Sequence, residues 1–287
     1  MNRTEESILA FDPRFPERLK EIPESPGCIY LKGRLPAPEE LTVGIIGARD
    51  GTEYGKMVAR TLAKELSEYG ISIISGMAYG IDTAAHEGAL LADGKTYAVL
   101  GCGVDICYPA INRKLYSKIQ EEGGILSEYP AGSPPLPHHF VARNRLIAGL
   151  SDILIVVEAK ERSGTFITVD RALEQGKQVF VVPGRITDPL SKGCNKLLME
   201  GASLCLSKED ILSCFSIDTE NEGKNKINLK TEEKRIFNAL NMEGKHIDTL
   251  HKELGIPLQS LYQTLLYLEM EGYCESFSGS YYRKKSF

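Results

Sequence analysis

The stretch TVGIIGARDGTEYGKMVARTLAKELSEYGISIISG, residues 42–76, decides the fold. It opens on one short apolar run, TVGIIGA (42–48), and closes on another, ISIISG (71–76). Neither alternates apolar with polar residues, so each reads as a strand buried on both faces, the pattern of a parallel sheet. Between them YGKMVARTLAKELSEYG (54–70) carries apolar residues at 57, 58, 62, 63 and 66, the period of an amphipathic helix, and Gly70 is its stop signal. Strand, helix and buried strand form the unit of a doubly wound α/β fold, whose site lies at the carboxyl ends of the strands.

Working outward, the same alternation continues through TYAVLG (96–101), GILSEY (124–129), DILIVVEA (152–159), QVFVVPG (178–184) and SLCLS (203–207). Residues 41–215 are therefore expected to form an extended Rossmann-like domain with a mostly parallel sheet. SIDTENEGKNKINL (216–229) loses the apolar period and collects Asn, Glu, Lys and Gly, which reads as a linker. After it come TEEKRIFNAL (231–240), HIDTLHKELG (246–255), IPLQSLYQTLLYLEMEG (256–272) and YCESFSGSYYRK (273–284). Three short helices and a hairpin turning at Ser278-Gly279-Ser280 give a winged helix over 230–287. Residues 1–40 are rich in Pro and nearly aperiodic, and read as an N-terminal arm rather than a domain. There are no internal repeats.

The composition of the 287 residues, 42% hydrophobic and 25% charged, is that of a soluble globular protein of about two domains. Seven cysteines, an odd number with no CxxC pair, read as reduced thiols of a cytoplasmic protein rather than as a disulfide framework or zinc site. The N-terminus has no apolar signal region, and no stretch approaches 18 apolar residues, so neither secretion nor a membrane span is expected. The net charge of −5 does not exclude nucleic acid, because phosphate attraction acts within about 8–10 Å of a local basic groove.

Four glycine-bearing turns follow the expected strands: GAR (47–49), SGMAYGID (75–82), GCGVDICYP (101–109) and SGTFIT (163–168). Glycine lets backbone N–H groups approach an anion, and the helix N-termini that follow favour negative charge. None is a GxGxxG fingerprint. Gly94-Lys95-Thr96 is no Walker A loop either, since position 89 is alanine and the triplet leads into a strand. HHFVARNRLIAGLSD (138–152) is more specific: Arg143 and Arg145 flank Asn144, and Phe140 sits three residues before Arg143. Cations for phosphates beside a ring for a base suit single-stranded nucleic acid, and Arg49 reaches the same sheet edge. The plain alternative is that Arg145 pairs with a core carboxylate and Phe140 is buried. Among Asp82, His86, Asp105, His138, His139 and Glu158 no triad or HExxH appears. Asp82 and His86, four apart on one helix, read as a structural hydrogen bond or cap.

In order along the chain, GIIGAR (44–49), SGMAYGIDTAAHEGAL (75–90), YAVLGCGVDICYP (97–109) with Asn112, GGILSEYP (123–130), FVARNRLIAGLSD (140–152), SGTFITVDRALEQGKQVFVVPG (163–184) and GCNKLLMEGA (193–202) closely resemble the motifs of the DprA/Smf family. The resemblance implies a dimeric Rossmann-like core that binds single-stranded DNA, recruits the RecA recombinase and displaces single-strand-binding protein in natural transformation. It implies no cofactor, no metal and no catalysis. Carried over by motif position, the phosphate pocket would use Arg49, the amides around Ser75 and Gly76, Arg143, Arg145, Ser163, Gly164 and Thr165, with Phe140 against a base. Three positions depart from the family pattern. Tyr79 stands where many members have a basic residue, Val141 replaces a proline, and Pro137-His138-His139 supplies no permanent cation before Phe140.

Two other readings compete. A nucleoside-phosphate hydrolase of the lysine-decarboxylase-like type would carry PGGxGTxxE, where this chain has SGTFITVD and lacks the acid. A winged-helix transcription regulator with a ligand-sensing core would carry basic residues on its third helix, yet 258–270 holds no Lys or Arg, and 230–287 balances eight Lys/Arg against eight Asp/Glu. A protein-contact or dimer role suits that module better.

Overall fold

The computed structural model describes residues 5–217, 231–241, 244–270, 273–277 and 280–284. The chain divides into two compact units, 1–217 and 218–287. From residue 218 onward, the expected linker lies outside the described residues, as do Ser278 and Gly279 of the expected hairpin turn.

Nine strands form the sheet of the first unit: β1 (Glu6–Leu9), β2 (Cys28–Gly33), β3 (Thr42–Ile46), β4 (Ser72–Ser75), β5 (Thr96–Leu100), β6 (Gly124–Ser127), β7 (Ile153–Val156), β8 (Gln178–Val181) and β9 (Ser203–Leu204). Their spatial order is β1-β2-β6-β5-β4-β3-β7-β8-β9. All neighbours from β6 to β9 run parallel, while β1–β2 and β2–β6 are antiparallel. From β3 the chain winds outward through β4 and β5 to β6, then returns to β7 on the other side of β3. The topological switch point therefore lies between β3 and β7, where such sheets open a crevice at their carboxyl ends.

The apolar runs lack alternation because both faces are covered. Val43 and Ile45 of β3, with Ile153 and Ile155 of β7, pack under helices α2 (Glu53–Glu68) and α3 (Ile81–Leu91). Ile46, Leu154 and Val156 face the opposite layer, where α5 (Pro137–Leu150), α6 (Gly164–Glu174) and α7 (Pro189–Met199) lie; α1 (Glu17–Lys20) adds Leu19 there. Helix α4 (Arg113–Glu122) covers β5 and β6 through Tyr116 and Ile119, and α8 (Lys208–Leu212) completes the α2 side with Ile211 and Leu212. Each fully buried Ile or Leu contributes about 1.5–3 kcal/mol, so both layers are needed.

Residues 5–40 are not an arm. β1 and β2 extend the sheet beyond β6, and Ile8, Phe15, Leu19, Ile29 and Leu31 are buried in its core. β1 buries only Ile8, too little to give a period, and β2 pairs with a strand almost a hundred residues away. Local pattern carries no trace of such pairing.

In the second unit α9 (Thr231–Ala239), α10 (Ile247–Leu254) and α11 (Leu258–Met270) enclose a core with Cys274 of β11 (Cys274–Phe277) and Tyr282 of β12 (Tyr281–Lys284). A two-residue strand, β10 (Lys245–His246), pairs with β12 and was not evident from the sequence; the sheet order is β10-β12-β11, all antiparallel. Helices, wing and short strand make a winged helix.

Candidate functional site

A cavity of about 450 Å³ opens at the β3/β7 switch point. The turn after β3 supplies Gly47, Ala48, Arg49 and Asp50, and the loop after β7 supplies Lys160 and Ser163. The first turn of α6 supplies Gly164 and Thr165, and α5 gives Phe140, Val141, Arg143 and Asn144. Ile46, Ile147 and Ile167 form its apolar lining.

Arg49 is exposed, and its guanidinium lies 5.5 Å from the Phe140 ring centre. It makes no hydrogen bond or ion pair among the described residues. Phe140 is half-buried and also touches Tyr108, with ring centres 5.4 Å apart. Across the cavity, Ser163 is the N-cap of α6 but makes no capping bond, and its Oγ is buried without a partner. The first amides of a helix lack intrahelical acceptors, so Gly164 and Thr165 present N–H groups and a positive helix end. An unpaired cation, a ring and an uncapped helix start thus converge on one space.

Arg143 is a different kind of residue. Its Nη1 donates to the carbonyls of Gly76 (2.9 Å) and Val99, and its Nε donates to Asn144 Oδ1 at 3.3 Å. Burial lowers it to about 10, and the Asp82 carboxylate beside it limits the fall. Asp82 is itself raised by burial, held back by Arg143, and accepts the Gly76 amide at 3.1 Å and the Ala78 amide at 3.4 Å. Arg143 therefore forms the charged wall of the cavity and ties α5 to the turn after β4. Gly76 is glycine because a Cβ would sit 2.7 Å from that guanidinium.

Three expected contacts do not reach the cavity. Arg145 turns away and holds Glu128 with two bonds of 2.7 and 2.8 Å, with further bonds to the Glu24 and Ala142 carbonyls. Position 145 is two residues, about 200°, around the helix from position 143, so the two arginines point to opposite faces. Ser75 is fully buried and donates to the Ile45 carbonyl, and the Gly76 amide is taken by Asp82. Gly76 instead borders a cleft of about 30 Å³ with Tyr79 and Tyr108. Lys160, Asn144, Asp50 and Tyr108 escaped the motif reading. The rule that sites sit at strand carboxyl ends points to Asp50 and Lys160, which follow β3 and β7.

The candidate acids and bases are committed elsewhere. Glu158 accepts Thr52 N–H at 2.8 Å and Thr52 Oγ1 at 2.5 Å, and Thr52 in turn caps α2. Asp105 accepts the Gly132 amide. His86 sits 2.6 Å from Thr96 Oγ1, whose proton goes to the Ile73 carbonyl; Nδ1 is thus the donor, and Nε2 has no partner. His139 stacks on Tyr129 with ring centres 3.8 Å apart. Among the described residues no metal-ligating cluster occurs, and no helix is long and apolar enough to cross a membrane.

The fold and cavity define a Rossmann-type α/β protein with an anion-receptive crevice at the sheet switch point, joined to a winged helix. Residues 6–216 match the family model of DNA recombination-mediator protein A, and 222–280 match that of the DprA winged helix domain. The chain belongs to this DprA/Smf family of DNA-processing proteins. It is 44% identical over 209 residues to the DNA processing protein DprA of Streptococcus pneumoniae, covering 73% of this chain and 74% of the relative. The X-ray structure of that streptococcal protein superposes with a TM-score of 0.70 at 43% identity, over 74% of each chain. The Helicobacter pylori DNA processing protein A, solved to describe its single-stranded DNA binding mode, superposes with a TM-score of 0.66 at 32% identity, over 75% of this chain and 98% of that one.

Proposed function

We propose that the cavity between β3 and β7 binds the backbone of single-stranded DNA, and that the protein delivers the strand to RecA as a homodimer without catalysing a reaction. The observation that carries the binding site is Arg49: an unpaired guanidinium held over Phe140, lining the same cavity as the uncapped start of α6. The cation and helix start suit a phosphate, and the ring beside them suits an unstacked base. A duplex hides its bases, so the ring favours the single strand. The commitment of Asp82, His86, Asp105 and Glu158 to structural bonds supports binding rather than turnover. RecA delivery, displacement of single-strand-binding protein and dimerisation rest on the family resemblance.

Fluorescence anisotropy with labelled single- and double-stranded oligonucleotides of equal length, at two salt concentrations, tests the reading. The single strand is expected to bind more tightly, with affinity falling as salt rises. Equal binding to both, or none to either, sinks it. Delivery is then tested by RecA filament growth on strands coated with single-strand-binding protein; an unchanged lag removes that part.

A further inference from the structure

Lys160 and Asp50 close a contact across the cavity mouth. Lys160 Nζ lies 2.5 Å from Asp50 Oδ2, joining the loops after β7 and β3, 110 residues apart. Both side chains line the cavity, and they are 53% and 64% exposed. Lys160 holds Asp50 below the usual carboxylate range, so the carboxylate is charged at neutral pH. The other carboxylate on the cavity, Asp82, is buried and already occupied by two amides. Asp50 is therefore the only exposed acid among the described lining residues, and it neutralises the one exposed lysine there.

We infer that Asp50 acts as an internal stand-in for phosphate: it clasps Lys160 in the unliganded protein and yields it to an entering single-strand phosphate. This rests on the reading that the cavity binds single-stranded DNA. The exchange replaces one singly charged oxyanion by another on the same ammonium. An exposed ion pair is weak, so the clasp opens at little cost. Lys160 becomes a ligand contact beside Arg49, and Asp50 sets how strongly the empty mouth attracts any anion. Short or free anions that make no other contact gain too little to open it, whereas a strand also held by Arg49 and Phe140 does.

The test measures anisotropy of a labelled oligo-dT across a salt series with four full-length proteins: wild type, Lys160→Gln, Asp50→Asn and the double variant. Lys160→Gln is expected to weaken binding about three- to tenfold and to reduce the salt slope by about 0.7, one phosphate contact on a single strand. Asp50→Asn is expected to tighten binding about two- to fivefold, the range of an exposed ion pair. The double variant should bind like Lys160→Gln alone, because Asp50 acts through Lys160. A gain from Asp50→Asn that persists in the Lys160→Gln background overturns the clasp and leaves Asp50 as a local repulsive charge. An unchanged affinity and slope for Lys160→Gln also overturns it. Arg49→Ala in the same series separates the failures. If it weakens binding while Lys160→Gln does not, only the clasp falls; if neither matters, the cavity reading falls with it.

Discussion

Arg49 and Arg143 line one cavity but are held in opposite ways, and substitutions at the two should part accordingly. Arg49 is exposed and bonded to nothing but a ring face, so Arg49→Ala should cost about tenfold in single-strand affinity, lower the salt slope by about 0.7 and leave the melting temperature unchanged. Arg143 satisfies two buried carbonyls and lies beside buried Asp82, so Arg143→Ala should cost about 2–4 kcal/mol in urea unfolding besides any loss of binding. Equal stability of the two variants would contradict this division. His86 makes a separate prediction. Burial lowers it to about 3, so below its ordinary pKa of about 6.5 the unfolded chain takes a proton that the folded chain refuses. Its contribution to stability is whole above that value and falls by about 1.4 kcal/mol per pH unit from about 6.5 towards 3. The stability difference between wild type and His86→Gln, measured by urea unfolding from pH 7 to 4, should move against wild type at that slope. A difference independent of pH would show that His86 keeps its proton equilibrium on folding.

At the scale of elements, two helix starts near the switch point are treated differently. Helix α2 is closed by Thr52 and Glu158, a carboxylate from the strand end opposite, and has no room for a ligand. Helix α6 begins uncapped, with the Ser163 hydroxyl unpartnered and open space around Gly164. Substitution at Gly164 is therefore sterically free, and its charge alone should decide the outcome. Gly164→Ala should bind single-stranded DNA as wild type does. Gly164→Asp sets a carboxylate where the phosphate is proposed to sit and should weaken binding more than about tenfold, with no loss of melting temperature. Similar affinities for the two variants would move the phosphate away from α6. The wing side holds its own contrast: α11 presents Leu258, Tyr262, Leu266 and Met270, all more than 40% exposed, where a groove-reading helix would carry cations.

For the whole molecule, each compact unit has a separate core, and every residue of the proposed site lies in the first. A chain of residues 1–217 is expected to fold cooperatively and to keep salt-sensitive single-strand binding within about threefold of the full protein. Residues 218–287 alone should show no salt-sensitive binding to a duplex, given a third helix without Lys or Arg. Binding lost from the first piece, or gained by the second, as read by anisotropy, would relocate the site. The net charge of −5 is no obstacle, because the cations that matter stand within a Debye length of the cavity.

The alternation of buried strands with helices from residue 42, the switch from unbroken apolar runs to period 3.6, and the glycine turns after β3, β4 and β7 were all legible in the chain, since each is a local consequence of burial on both faces. So were the winged helix and its missing cations. Tertiary structure alone decided where residues 5–40 go, because β2 finds its partner in β6 through non-local pairing. It also decided which arginine of the 143–145 pair meets the cavity. Both read alike as cations in sequence, but two residues of helical rotation, about 200°, send Arg145 to Glu128 and leave Arg143 in the wall. Lys160 and Asp50 lie 110 residues apart, and only the return of the chain to the switch point makes them neighbours.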